Sequence, residues 1–133
     1  MELNTKSEFL NTKQIIISKP SNPKHYDLED RTLNFAKDVN QFVISLQKNV
    51  VNLENGKQLV RSSGSIWANY IEANEALSKK DFILRIKISK KEAKETIFWL
   101  KLLITDNDPM RQRMIKEANE LMKIFGAIIE KSK

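Results

Sequence analysis

Apolar residues recur from residue 28 to residue 130 at alternating steps of four and three, the spacing of helices that bury one face. Four such seams follow one another. The first is Leu28, Thr32, Phe35, Val39, Phe42 and Leu46. The second, predicted from Glu54 to Leu77, carries Leu59, Ser63, Ile66, Tyr70, Ala73 and Leu77. The third, ending near Thr105, carries Phe82, Ile86, Ser89, Ala93, Thr96, Leu100 and Leu103. The fourth, ending near Glu130, carries Met114, Ala118, Leu121, Phe125 and Ile128.

The breaks between the seams carry start and stop chemistry. Asp27 can cap the first helix, with Asp30 three residues on. The stretch from Asn49 to Asn55 breaks the period and reads as a loop. Ser78 and Asp81 make a capping-box-like pair. Asp108 is placed as the cap of the last helix, with Pro109 at its first position. Connections this short make neighbours antiparallel, which predicts an all-α, up-down-up-down four-helix bundle over residues 26–133. Ser62, Ser63, Gly64 and Ser65 interrupt the second helix with small side chains, which let another helix approach closely; a glycine kink is the competing explanation. Residues 1–25 lack the period. Pro20 and Pro23 forbid a helix there, and the short β-prone run from Gln14 to Ser18 has no partner strand. They read as a flexible N-terminal arm.

Composition narrows the chemistry. The 133 residues include no cysteine, so disulfides, thiolate metal sites and cysteine nucleophiles are excluded. His25 is the single histidine. The helical acid pairs Glu72/Glu75 and Glu92/Glu95 therefore lack the histidines of a di-iron bundle and read as salt-bridge partners. Antiparallel pairing about a turn at Ser78 and Lys79 sets Arg61 opposite Glu95, and Glu72 opposite Arg85. No Gly-rich phosphate loop, Ser/His/Asp set or metal spacing is present, so neither catalysis nor a cofactor is expected. The longest apolar run, Ile97 to Leu100, is far too short for a membrane span, and the first residues show no apolar signal segment followed by a cleavage site; a cytoplasmic protein is expected.

Charge points to a partner. The net charge is +6, and eight basic residues lie between Lys79 and Lys101 against only Asp81, Glu92 and Glu95. Lys80, Lys87, Lys91 and Lys94 follow steps of seven, four and three and form one stripe, flanked by Lys79 and Lys90. No aromatic residue clearly interleaves the stripe. Weak, sequence-tolerant binding to RNA or DNA phosphates is the functional expectation; an ordinary solvated face is the plain one. Trp67, Ile83, Phe98 and Trp99 fall off the seams and suggest a second buried face, hence self-association; a wide core stripe is the alternative.

The runs Arg61-Ser62-Ser63-Gly64-Ser65-Ile66-Trp67-Ala68-Asn69-Tyr70-Ile71-Glu72-Ala73 and Ser78-Lys79-Lys80-Asp81-Phe82 form a long motif. Lys91-Glu92-Ala93-Lys94-Glu95-Thr96, Trp99-Leu100 and Tyr26-Asp27-Leu28-Glu29 extend it. Over residues 26–130 the chain resembles the bacterial four-helix-bundle proteins encoded in intervening sequences of large-subunit ribosomal RNA genes, the S23 type. That resemblance implies a ring, typically a homopentamer, without known enzymatic activity. Relatives include the accessory variability proteins of diversity-generating retroelements, basic rings that bind a reverse transcriptase and nucleic acid. Arg61, Asn69, Glu72 and Glu95 match polar positions of the motif, which the resemblance makes structural. The sequence departs from the pattern at Trp67, where a small residue is common, and at Ser89, where alanine is common. The combined expectation is a non-enzymatic, oligomeric, basic scaffold for RNA or a nucleoprotein partner such as a reverse-transcriptase-like protein. The alternative is a protein-only adaptor whose basic face meets an acidic protein.

Overall fold

The computed structural model describes residues 27–133. The expected arm, the Gln14–Ser18 run, His25 and Tyr26 lie outside the described residues. Every regular element of the described residues is an α-helix: α1 (Leu28–Ser45), α2 (Val50–Glu75), α3 (Lys79–Leu102) and α4 (Asp108–Ser132). Each helix packs on the next, and α1 closes more sparsely on α4, so the architecture is a four-helix bundle. The seams meet inside it. Val39, Leu59, Ile66, Ile86, Leu100, Leu121 and Phe125 are all fully buried.

Each helix begins on a side-chain cap that accepts from the amide three residues on. Asp27 Oδ1 accepts from Asp30 N at 2.8 Å, and Ser78 Oγ from Asp81 N at 3.1 Å. The other two starts differ from expectation. Asn49, not a residue near Glu54, begins α2, its Oδ1 accepting from Asn52 N at 2.8 Å. The expected Asn49–Asn55 loop is therefore the first turn and a half of α2. Its polar residues hid the helix, because Asn52 and Gly56 are buried where the pattern has no apolar residue. Asn107, rather than Asp108, caps α4, accepting from Met110 N at 3.2 Å and leaving Asp108 and Pro109 in the first turn. At the other ends, α2 stops at Glu75 and α3 at Leu102. Leu77 thus falls in the connection and is exposed, while Ala76 is buried beside it.

The small residues of α2 act differently from one another. Ser62 and Ser63 are buried, and α2 runs unbroken through Gly64. A Cβ built on Gly64 meets nothing within 4 Å. A Cβ on Gly56 would stand 3.2 Å from Val43 Cγ1, so Gly56 is the glycine that lets α1 lie close.

Asn52 ties both loops at this end of the bundle. Its Nδ2 donates to Gln47 O at 2.8 Å and to Ile104 O at 3.0 Å, and its Oδ1 accepts from Ile104 N at 2.8 Å. Arg111 of α4 finishes the end of α3 by donating to the carbonyls of Leu100 and Leu103, which suits the negative end of a helix dipole. Across the bundle, Arg31 grips Glu117 through two bonds, Nε to Oε2 at 2.8 Å and Nη2 to Oε1 at 2.6 Å. That carboxylate holds the Arg31 guanidinium above its ordinary range, against the desolvation that opposes it.

Candidate nucleic-acid interface

The outer face of α3 is set by what holds its inner face. Ser89 Oγ donates to Ile66 O of α2 at 3.1 Å, and Ser62 Oγ and Thr96 Oγ1 share a hydrogen bond of 2.8 Å. The buried Ser89 hydroxyl is therefore satisfied by the facing helix. Arg61 of α2 spans two turns of α3, with Nη1 3.0 Å from Glu92 Oε2 and Nη2 3.3 Å from Glu95 Oε2. The Glu92 side chain is only 7% exposed, whereas that of Glu95 is 39% exposed. The sequence reading set Arg61 opposite Glu95 and took Glu92 as a salt-bridge partner without assigning it to Arg61; the structure gives Arg61 both carboxylates, because they stand one turn apart on the side of α3 that faces α2. Glu72 and Arg85 do not pair among the described residues. Arg85 Nη1 instead reaches Asn69 Oδ1 at 3.2 Å, one turn earlier on α2 than Glu72, while Glu72 is exposed.

With that side turned inward, a rotation of about 100° per residue puts Lys80, Lys87, Lys91 and Lys94 on the opposite, outer side of α3. All four are exposed. Lys79 and Lys90 stand off the row. Lys79 is partly buried, and Lys90 reaches over α4, its Nζ 3.6 Å from where a Cβ on Gly126 would be. There it adds to the field of Lys133, whose hydrogen bond is the main reason the Glu130 carboxyl sits below its ordinary range. None of the six lysines forms an ion pair with a carboxylate of the described residues.

An aromatic ring does stand in line with the row. Phe98 follows Lys94 by four residues, precedes Lys101 by three, and is 53% exposed. Its ring meets that of Trp99 edge-on, centroids 4.8 Å apart, and Trp99 packs against the core. The sequence reading missed this alignment because it grouped Phe98 with Trp67, Ile83 and Trp99. Those four do not make one face. Ile83 and Trp99 leave α3 on opposite sides and both pack against the core. Trp67 is partly exposed on α2, its indole N–H without an acceptor among the described residues. Further exposed apolar residues lie at the end where α1 meets α2. Ile44, Leu53 and Val60 are exposed there, lining a groove of about 910 Å³ over Gly56, and Val50 is exposed at the start of α2. Leu102 and Ile104, also exposed, come from the end of α3 that Asn52 holds. The signal for this surface was present as Val50, Val51 and Leu53, inside the stretch read as a loop.

No group of three or more histidine, aspartate or glutamate side chains among the described residues is placed to hold a metal ion. No helix among them is long and apolar enough to cross a membrane. Among the described residues the outer face of α3 brings together exposed lysines and the half-exposed Phe98 ring.

Comparison with known proteins agrees with the motif. No curated protein matches the chain. Among solved structures, the chain is similar to a protein with unknown function from the S23 ribosomal protein family of Bacteroides thetaiotaomicron. The two are 35% identical with a TM-score of 0.67, over 76% of this chain and 96% of that one. The model of the 23S rRNA-intervening sequence protein family matches residues 24–130. Matched by that model over residues 24–130 and 35% identical to a solved member of the S23 family, the chain belongs to the 23S rRNA-intervening sequence protein family.

Proposed function

We propose that the chain is a non-enzymatic, self-associating scaffold that holds nucleic acid, alone or within a nucleoprotein, along the outer face of α3. The observation that carries this reading is the exposed row Lys80, Lys87, Lys91 and Lys94, which has no carboxylate partner among the described residues. Like charges in a row repel one another, and a phosphate backbone relieves that repulsion while releasing its own counterions. RNA is the first ligand to test, since both the family's name and that of the solved relative refer to ribosomal RNA or the ribosome.

Self-association is supported by the exposed apolar residues around the α1–α2 groove, which exceed what a solitary bundle needs. The number five rests on the resemblance alone. In a ring the row is repeated, so weak contacts add by multivalency when one strand spans several copies. An acidic protein is the second reading, favoured by Leu84 and Leu102, exposed beside the row.

Fluorescence anisotropy of labelled RNA across a salt series tests the reading. Log affinity is expected to fall with log salt by about 0.7 for each phosphate contacted by a single strand. Changing Lys87, Lys91 and Lys94 together to glutamate is expected to abolish binding. No binding at tens of micromolar protein, on the order of ordinary non-specific affinities, would refute it; so would binding that survives the triple change. Light scattering tests assembly: a monomer mass refutes self-association, and a dimer or tetramer refutes only the number.

A further inference from the structure

We infer that Phe98 is a stacking platform for an unpaired base, so that the α3 face takes single-stranded nucleic acid in preference to duplex. The inference rests on the nucleic-acid reading of the lysine row and names the form of ligand that row takes. Three observations support it.

The first is position. Phe98 lies between Lys94 and Lys101 on the exposed side of α3, about 6 Å along the axis from the first and about 4.5 Å from the second. A strand whose phosphates meet these lysines carries a base over the ring. The second is accessibility: Phe98 is 53% exposed, against full burial for Phe82 and Phe125. A large apolar ring left half in water on a cationic face has no role in the core. The third is rigidity. The edge-on contact with Trp99, which is itself packed against the core, braces the ring. A braced ring loses little freedom when a base lands on it.

Stacking on an aromatic ring does not depend on base identity, because every base has a π-face. It does require that the base be out of a duplex stack. Duplex offers the row its phosphates but offers Phe98 no base face. The lysines alone cannot tell the two forms apart; Phe98 can.

The experiment is an anisotropy titration, at low salt, of an unstructured single-stranded oligonucleotide and of a blunt duplex of the same sequence. Wild type, Phe98→Ala and Phe98→Trp are compared. The expected result is tighter binding of the single strand by wild type and a loss of roughly 5- to 100-fold for that ligand alone in F98A. F98W restores the preference, and duplex affinity stays level in all three. RNA and DNA single strands are run in parallel, and the same order is expected for both. Equal affinity of wild type for both forms, or a single-strand affinity untouched by F98A, overturns the inference and leaves the phosphate reading standing. Absence of all binding by wild type overturns both. A fall in assembly mass in F98A, with equal loss on both ligands, assigns Phe98 to a subunit contact and overturns the inference. Circular dichroism of each variant establishes folding, and F98W keeps the test open should F98A misfold.

Discussion

Replacing Asn52 with alanine tests how the loop end of the bundle is held. Asn52 is 5% exposed and makes three hydrogen bonds, all to backbone groups of two loops distant in sequence. Truncation strands the Gln47 and Ile104 carbonyls and the Ile104 amide. An ordinary bond contributes about 0.5–1.5 kcal/mol net, and a group left buried without a partner costs about 1–3 kcal/mol. Gln47 and Ile104 are themselves exposed, so water can recover part of their demand. The expected loss is then about 2–4 kcal/mol, larger than the ~1 kcal/mol expected when Asn49→Ala removes only the cap of α2.

Asn52→Asp sharpens the test. It keeps the shape and the oxygen that accepts from Ile104 N, but turns the donor toward Gln47 and Ile104 into a carboxylate facing two carbonyls. That environment raises the folded-state pKa of the introduced carboxyl above its unfolded value. Its stability is therefore greatest below the unfolded pKa of about 3.9 and is lost as pH rises through the folded one. N52D should thus be at least as unstable as N52A at neutral pH and recover on acidification relative to it. Urea unfolding followed by circular dichroism, at one fixed protein concentration because assembly adds to stability, supplies the values. A loss under about 0.5 kcal/mol in N52A, the scatter of ordinary surface changes, would refute the argument. So would an N52D protein as stable as wild type at neutral pH.

Three further outcomes follow from the same packing. Arg61→Ala should cost about 1–3 kcal/mol in urea unfolding by stranding the buried Glu92 carboxylate, while Glu95→Ala, at a more exposed partner, should cost under about 1 kcal/mol; equal losses would contradict the burial difference. Gly64→Ala should raise stability by about 0.4–1 kcal/mol, because its Cβ enters open space, and Gly56→Ala should not, because its Cβ presses on Val43; thermal melts showing the reverse order would contradict this. Burial, only partly offset by the Asn74 hydrogen bond, raises the Tyr70 hydroxyl well above its ordinary 10.0. Folding stability tied to that hydroxyl is whole below pH 10.0 and is lost as pH climbs above it, so Tyr70→Phe should flatten the alkaline limb of the stability profile; an unchanged limb would count against it.

The α3 seam shows what local pattern can fix. Phe82, Ile86, Ser89, Ala93, Thr96 and Leu100 share a side at any helical register, so their burial follows from period alone. The same period fixes Lys80, Lys87, Lys91 and Lys94 as a row on the far side, and short breaks at Ser78 and Asn107 fix antiparallel neighbours. For α1, α3 and the bulk of α2 and α4, the amino-acid sequence was therefore enough. It failed at the start of α2, where Asn52 and Gly56 occupy inner positions for reasons of shape and hydrogen bonding that hydropathy does not encode. Only the packed bundle shows that Asn52 serves two loops at once and that Gly56 makes room for Val43.

The candidate site divides in the same way. A sequence names which lysines share a helix face, but not which ammonium groups find partners across helices. The structure turns Lys90 over α4 and leaves the row without an ion pair among the described residues. It likewise separates four off-seam apolar residues that look equivalent in sequence. Ile83 and Trp99 go to the core edge, Trp67 stays partly exposed on α2, and Phe98 stands in water beside the lysines. Periodicity is a property of one helix and is written in its residues. Whether a given outer position is covered depends on where neighbouring helices end and how closely they approach, and those distances exist only once all four are packed.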